Sequence, residues 1–224
     1  MSSLISMGQK AKEASYELGV ASPGQKNEAL TFMAEELIKA KEEIIKANEI
    51  DRQNAIKKGI TDALLDRLSL DDSRIEAMAQ GLLDIVKLQD PVGEVTNMWQ
   101  MPNGLQIGQK RVPIGVLGII YESRPNVTSD AAGLCLKSGN AVILRGASDA
   151  INSNKAVAKA LVAGIKRSGL PQECVQLLED TSRETAREMM RLNDYIDVLI
   201  PRGGAGLIKS VVQNATVPVI ETGT

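Results

Sequence analysis

Residues 113–146 constrain the fold of this chain more than any other stretch. An apolar run at 114–121 ends in the polar turn ESRPN (122–126), and a helical pattern then continues to the tripeptide SGN (138–140). A second apolar run follows at 141–144. This order predicts strand, turn, helix and strand, which is the repeating unit of a parallel sheet with right-handed crossovers. Polar residues gather where the predicted strands end, and open α/β sheets bind ligands at that edge.

The rest of the C-terminal half continues the alternation. Apolar runs predict strands, and amphipathic segments between them predict helices. The predicted strands are 114–121, 141–145, 174–178, 196–200 and 217–221, and the predicted helices are 127–138, 151–168, 183–192 and 204–213. We therefore expect the α/β fold class, with a parallel sheet formed by the later part of the chain.

The N-terminal half has a different pattern. Residues 1–92 carry apolar side chains at helical spacing, with Lys and Glu on the opposite faces. Residues 93–112 change to extended, alternating segments around Asn103-Gly104, a hairpin signal because both residues tolerate positive φ. We expect a helical segment, a hairpin, and an α/β domain at 113–224. The hairpin either packs on its own domain or serves as an oligomerisation arm.

Composition excludes several functional classes. The chain has no histidine, two cysteines, 2% aromatic residues and a formal net charge of −2. Histidine bases and ligands are therefore excluded, a cysteine-rich zinc site is not possible, and a nucleic-acid surface is not expected. No apolar run approaches the roughly 20 residues of a membrane span, and the N-terminus does not resemble a signal peptide. We expect a cytoplasmic protein with no metal site and no membrane partner.

Several unusual strings carry a family resemblance. YESRPNVTSDAAGLCLKSGNAVILRG, YIDVLIPRGGAGLI and VPVIETGT occur in this order. The chain resembles the aldehyde dehydrogenase superfamily and, within it, the N-terminal part of the gamma-glutamyl phosphate reductases. The resemblance implies a Rossmann-type sheet with N-terminal helices and a β-hairpin arm. It also implies NADPH-dependent reduction of L-glutamyl 5-phosphate to L-glutamate 5-semialdehyde and phosphate, a step of proline biosynthesis.

The resemblance also implies what the 224 residues do not contain. The family's nucleophilic cysteine follows the segment that ends here at Thr224, so the catalytic domain is absent and we expect no turnover by this chain alone. Cys135 and Cys174 are expected to be structural, because Cys135 lies in an apolar helical segment and Cys174 opens a strand. Two alternatives remain: a non-catalytic nucleotide-binding or assembly module, and another oxidoreductase of the superfamily.

The predicted cofactor site combines two segments. A glycine-rich turn follows the strand YIDVLI, and small residues there let backbone N–H groups approach a phosphate or a ring, although such a turn alone is more often only a turn. The resemblance places this turn and the segment VIETGT at the nicotinamide end of the cofactor. The residues assigned to this end are Pro201, Gly203, Gly204, Ala205, Glu221 and Thr222.

Cofactor preference is predicted from the end of the second strand. Superfamily members usually place a lysine here and a glutamate three residues later, which binds the adenosine ribose. This chain has Arg145, Gly146 and then Ser148. Because an arginine attracts a 2′-phosphate and a serine does not repel it, we expect NADPH to be preferred over NADH.

Substrate contacts are predicted in the ESRPN turn. Asn126 is either a helix N-cap or the superfamily's oxyanion asparagine, whose amide donates to the developing negative charge. Ser123 and Arg124 are candidates to bind the acyl phosphate or carboxylate of the substrate. The resemblance also implies a homo-oligomer and makes glutamate 5-kinase a candidate partner.

Overall fold

The computed structural model describes residues 3–222. The helices are α1 (Ser3–Gly19), α2 (Pro23–Lys39), α3 (Lys41–Lys57), α4 (Asp62–Leu68), α5 (Asp72–Lys87), α6 (Asn126–Lys137), α7 (Ile151–Arg167), α8 (Arg183–Met189) and α9 (Ala205–Asn214). The strands are β1 (Val95–Gln100), β2 (Gln106–Lys110), β3 (Val116–Tyr121), β4 (Ala141–Arg145), β5 (Val175–Leu177) and β6 (Val198–Arg202). The expected α/β class, with N-terminal helices, a hairpin and a parallel sheet, is confirmed.

The parallel sheet has the strand order β5-β4-β3-β6. Alternating side chains of the two central strands enter different cores, as the two-residue period of a strand requires. Leu117 and Val142 belong to a cluster with α2, α5, α6 and α7. Val116 and Ile143 belong to a second cluster with α1, α8 and α9. The sheet is therefore covered by helices on both faces, which explains why β3 and β4 are nearly continuous apolar runs.

The N-terminal helices share the core of the sheet rather than forming one of their own. Leu30, Met33 and Leu37 of α2 are fully buried in the cluster that contains β3 and β4. The crossing of α2 and α7 is so close that a Cβ added at Gly164 would lie 2.4 Å from the backbone nitrogen of Met33. Glycine is required at this crossing because the neighbouring atoms belong to the backbone.

The start of α7 is fixed by a buried carboxylate from α3. Asp51, 2% exposed, accepts hydrogen bonds from the backbone N–H and side-chain amide of Asn152, at 3.3 and 2.8 Å. It also accepts from the backbone N–H and hydroxyl of Ser153, at 2.7 and 2.6 Å. A negative charge at a helix N-terminus is stabilised by the unsatisfied N–H groups there. Asp51 thus positions the helix that follows β4.

The hairpin of β1 and β2 extends away from the domain. Every β1 residue is exposed, including Met98 and Trp99, so the prediction that the hairpin packs on its own domain is wrong. The turn also differs from expectation, because Gly104 has a positive φ of 86° and Asn103 does not. The N–H of Gly104 donates to the carbonyl of Met101 at 2.9 Å. Pro102, whose ring fixes a negative φ, favours this wider turn ending in glycine over a two-residue Asn-Gly turn.

Other boundaries differ by a few residues, and one predicted strand is wrong. Residues 217–221 form a single parallel bridge between Val219 and Leu199 instead of a strand. The carbonyl of Pro218 accepts from Leu199 at 2.8 Å and the N–H of Ile220 donates to the carbonyl of Leu199 at 2.9 Å. Pro218 has no N–H to extend this pairing. Strand β6 also begins and ends later than the predicted 196–200, and α8 ends before the predicted 192.

Two absences concern only residues 3–222. None of the helices there has both the length and the apolar character needed to cross a bilayer. Nor does this part of the chain bring together three or more acidic or cysteine side chains that could hold a metal ion.

Candidate cofactor and substrate site

Three cavities that are each lined by three arginines open near the carboxyl ends of β3, β4 and β6. The α8–α9 cavity, about 400 Å³, is lined by Ile120, Arg145, Arg183, Ala186, Arg187, Met190, Leu207, Ser210 and Asn214. The glycine-turn cavity, about 340 Å³, is lined by Arg67, Glu122, Arg124, Val127, Arg202, Gly203, Gly204 and Thr222. The α5–α6 cavity, about 520 Å³, is lined by Asp66, Arg67, Ser69, Leu70, Arg74, Ala77, Met78, Arg124, Asn126 and Asp130. Arg67 and Arg124 line both of the last two.

The α8–α9 cavity combines apolar walls with three guanidinium groups. Arg145 ends β4 and donates from Nη2 to the carbonyl of Thr181 at 2.8 Å, while its Nε is buried without a partner. Burial lowers the pKa of Arg145 and the nearby Asp180 opposes this, so the guanidinium stays charged. Arg183 and Arg187 lie one turn apart on α8 and form no ion pair within residues 3–222. Such a cavity suits an anionic ligand that has an apolar part.

The glycine-turn cavity lies where β6 meets α9. Gly204 is the N-cap of α9 and provides no side-chain cap, so the first N–H groups of this helix have no side-chain acceptor. A Cβ added at Gly203 would lie 2.6 Å from Cδ of Glu122, which places that carboxylate directly over the turn. The Thr222 hydroxyl donates to the carbonyl of Pro201 at 2.8 Å and holds the last described segment beside it.

The α5–α6 cavity contains the predicted oxyanion residue. Pro125 is the N-cap of α6 and Asn126 is the first helical residue, so the interpretation of Asn126 as a helix N-cap is wrong. Its side-chain amide donates to Oδ2 of Asp130 at 3.1 Å. Desolvation raises the pKa of Asp130, and the Asn126 hydrogen bond and the charge of Arg202 oppose this. Arg74 is already bonded to Asp66 and to the carbonyl of Ser69.

Some predicted site residues do not reach these cavities. Gly146 is buried, and a Cβ there would lie 2.1 Å from Nδ2 of Asn154, so close packing alone accounts for this glycine. Ser148 is exposed in a short 3-10 turn, Ser123 is half-buried, and neither lines the three cavities. Glu221 and Ala205 are exposed beside the glycine turn without lining its cavity, and Pro201 contributes only its carbonyl.

Sequence reasoning missed four arginines. Arg183 and Arg187 follow the predicted strand 174–178 and are four residues apart, as on one face of a helix. This spacing could have indicated a pair of cations near the strand end. Arg202 stands inside the glycine-rich string itself. Arg67 could not have been found, because only the tertiary fold brings α4 to the turn before α6.

Neither cysteine lines these three cavities, although Cys135 lines a neighbouring, mainly apolar cavity together with Arg202 and Thr222. Burial raises the pKa of each thiol to about 12, for Cys174 with help from Glu17 and Glu173. A thiol with so high a pKa is not a thiolate near neutral pH and is a poor nucleophile. The geometry is that of two structural cysteines.

The chain is similar in sequence to gamma-glutamyl phosphate reductases. Gamma-glutamyl phosphate reductase of Clostridium beijerinckii is 72% identical over the whole chain, and that of Clostridium botulinum (strain Alaska E43 / Type E3) is 66% identical over 223 residues. The chain covers 54% of each of these proteins, so it spans about half the length of the curated relatives it matches.

Solved structures agree in fold. Gamma-glutamyl phosphate reductase from Thermotoga maritima superposes with a TM-score of 0.96 at 47% identity, covering 99% of this chain and 53% of that one. The Saccharomyces cerevisiae protein of the same name gives 0.91 at 33% identity, covering 98% and 56%. The sequence model of the aldehyde dehydrogenase family matches residues 4–222. The chain therefore belongs to the aldehyde dehydrogenase family, whose members use a nicotinamide cofactor.

Proposed function

We propose that this chain forms the NADPH-binding part of an enzyme that reduces L-glutamyl 5-phosphate to L-glutamate 5-semialdehyde and phosphate. The names of its relatives, gamma-glutamyl phosphate reductases, support this substrate, and we infer that the step belongs to proline biosynthesis. Both cysteines of the chain are buried, and we infer that neither is the nucleophile of the reaction. The chain alone should therefore bind cofactor without turning over substrate.

The α8–α9 cavity carries this proposal. It lies at the carboxyl ends of β3 and β4, where open α/β sheets bind nucleotides. Its apolar side chains, among them Ile120 and Leu207, suit an adenine ring, and its three arginines suit phosphate groups. The buried Nε of Arg145 has no acceptor, and a phosphate oxygen would supply one.

The same cavity favours NADPH over NADH. The two cofactors differ by one phosphate on the adenosine ribose, and Arg145, Arg183 and Arg187 surround the space beside α8. No acidic side chain lines this cavity, so a 2′-phosphate meets no like charge there. One charge-assisted contact stabilises binding by about 1.5–3 kcal/mol, which corresponds to a preference of roughly 10- to 100-fold.

The other residues orient the reacting groups. When bound, NADPH supplies the hydride, and its nicotinamide would lie at the turn formed by Gly203 and Gly204, beside Thr222. The Asn126 amide has two N–H groups, and the Asp130 bond uses only one. The second is the proposed donor to the developing oxyanion. Arg124, with Ser123 beside it, is the proposed substrate contact, and Glu221 the proposed polar wall near the nicotinamide.

Calorimetric titration of the 224-residue chain with NADPH and NADH tests the cofactor assignment. We expect saturable NADPH binding that exceeds NADH binding by at least about 10-fold. Arg187→Ala should weaken NADPH binding by a similar factor and leave NADH binding nearly unchanged, because it removes a contact to the 2′-phosphate only.

Arg191→Ala is the matched control. Arg191 is exposed, forms no ion pair within residues 3–222 and lies just beyond α8 outside the cavity, so the substitution removes the same charge without a ligand contact. Equal losses for Arg187→Ala and Arg191→Ala, or tighter binding of NADH than of NADPH, would contradict the proposal.

Assembly is a second proposed function, and the exposed hairpin favours it. Met98 and Trp99 are 63% and 43% exposed on β1, which gives an arm for a homo-oligomer of the whole enzyme. An acyl phosphate hydrolyses readily, so the enzyme that makes the substrate should deliver it directly. Glutamate 5-kinase is the proposed partner for this delivery, and the cytoplasm is the proposed compartment. Light scattering should give a mass above that of one chain, falling when Met98 and Trp99 are both replaced by serine.

A further inference from the structure

The arginines of residues 3–222 differ in whether they have an acidic partner. Four form ion pairs with acidic neighbours: Arg52 with Glu49, Arg74 with Asp66, Arg111 with Glu94, and Arg167 with Glu35 and Glu36. Arg67, Arg124 and Arg202 have no ion pair and no side-chain hydrogen bond to any residue of the described part. All three line the glycine-turn cavity. Arg183 and Arg187 also lack an ion pair within residues 3–222 but line the α8–α9 cavity, and Arg191 lies outside both cavities. The glycine-turn cavity is therefore one of two places in this part of the fold where unpaired arginines gather.

We propose that Arg67, Arg124 and Arg202 bind the phosphoryl group of the acyl phosphate substrate. They come from α4, from the turn after β3 and from the end of β6, so only the folded chain brings them together. Three guanidinium groups and one carboxylate, that of Glu122, line this cavity, and Asp130 lies close to Arg202 beside it, so positive charges still outnumber negative ones. Like charges so placed repel one another unless an anion lies between them.

The backbone adds donors to the same site. Gly203 and Gly204 line the cavity, and Gly204 begins α9, a helix of ten residues without a side-chain cap. The free N–H groups of a helix N-terminus favour phosphate. Planar guanidinium groups match phosphate oxygens two at a time. Cationic side chains and helix donors thus converge on one cavity.

The site has a role in the proposed reaction, and the inference rests on that proposed function. When a cysteine thiolate forms a C–S bond to the acyl carbon, the C–O bond to the phosphoryl group breaks. The electron pair of that bond leaves with phosphate, which gains negative charge. Guanidinium groups that are in place before the reaction stabilise this charge as it develops. Arg67 and Arg202 would then be residues that distinguish acyl phosphates from simple aldehydes.

Inorganic phosphate is the probe for this site, with ³¹P NMR as the readout. The 224-residue chain should broaden the phosphate resonance with and without saturating 2′,5′-ADP, because this probe carries the adenosine and the 2′-phosphate proposed for the separate α8–α9 cavity but has no nicotinamide to enter the glycine-turn cavity. Arg67→Gln and Arg202→Gln should each weaken phosphate binding by about 10-fold, and Arg191→Gln should not. Circular dichroism checks the fold, and the two variants lie on different elements.

The outcomes separate this inference from the cofactor assignment. Phosphate that binds with 2′,5′-ADP present, and binding that survives Arg187→Ala, support the inference even if NADPH binding itself proves weak. Displacement of phosphate by 2′,5′-ADP would overturn it, because the arginines would then hold the cofactor's own phosphates. Displacement by an equal concentration of L-glutamate would overturn it too, since the site would then recognise a carboxylate. Absence of phosphate binding in the unaltered chain would also refute it.

Discussion

The substitution Gly164→Ala should destabilise the chain more than its size suggests. The added Cβ would lie 2.4 and 2.5 Å from the backbone N and Cα of Met33, where ordinary contact begins at 3.4 Å. Helices α2 and α7 would have to separate by about 1 Å, because backbone atoms cannot rotate away. Overpacking of this kind costs about 1–3 kcal/mol, and alanine returns up to about 1 kcal/mol of helix propensity. Because the clash is with backbone atoms, the cost should lie at the upper end of that range, which leaves a net loss near 2 kcal/mol, or about 4–8 °C in Tm.

Gly206→Ala is the matched control for this prediction. Gly206 lies in α9 with nothing within 4 Å of the position of its added Cβ, so the same substitution should be neutral or slightly stabilising. Urea unfolding and a thermal melt of both variants measure the difference. If Gly164→Ala were as stable as Gly206→Ala, the close backbone crossing of α2 and α7 would be wrong.

Two further predictions concern buried groups. Asp51→Asn should lower the free energy of unfolding by about 2–4 kcal/mol, because an amide cannot accept all four hydrogen bonds at the start of α7. Urea unfolding measures this loss, and the exposed control Asp62→Asn should change the same free energy by less than about 0.5 kcal/mol. Cys135 and Cys174 should stay unreactive to a thiol reagent at pH 8 until the chain unfolds. Folding raises the pKa of each thiol from the usual 9.0 to about 12, so the stability that the protonated thiols contribute is complete below pH 9 and is lost as pH rises toward 12. Rapid labelling of the native chain by the thiol reagent would contradict the burial of these cysteines.

The order of strands and helices could be read from the sequence because hydrophobic period and position agree there. Strands β3 and β4 are apolar runs bounded by polar turns, and α7 ends before Gly169, which has a positive φ of 78°. The segment 217–221 was equally apolar, yet Pro218 limits its pairing to one bridge. Periodicity reports burial, and burial alone does not provide a hydrogen-bond ladder.

The candidate site was only partly predictable. Arg124, Arg145 and the glycine turn follow strand ends, and strand ends of a parallel sheet meet at one edge. Gly146 was assigned to the cofactor, but its environment is the packed side chains of Asn154 and Tyr121. Arg67 lies in α4, a helix that neither follows nor precedes a predicted strand in the sequence. Such a residue becomes visible only when tertiary packing sets its neighbours.

Helix α1 depends for its position on the far end of the chain. The side chain of Gln176 donates to the carbonyl of Met7 at 2.9 Å, and Lys12 contacts Asp197 at 2.9 Å. During synthesis at about 5–20 residues per second, α1 would leave the ribosome roughly 8–30 s before these partners exist. Its apolar face, with Leu4 and Ala11, shares a cluster with Val116 and Ala141, which are made earlier, and with Leu178 and Ile196, which are made later. The first helix to be made therefore completes its native contacts only when the last strands of the sheet are made, and part of its apolar face is open to chaperones until then.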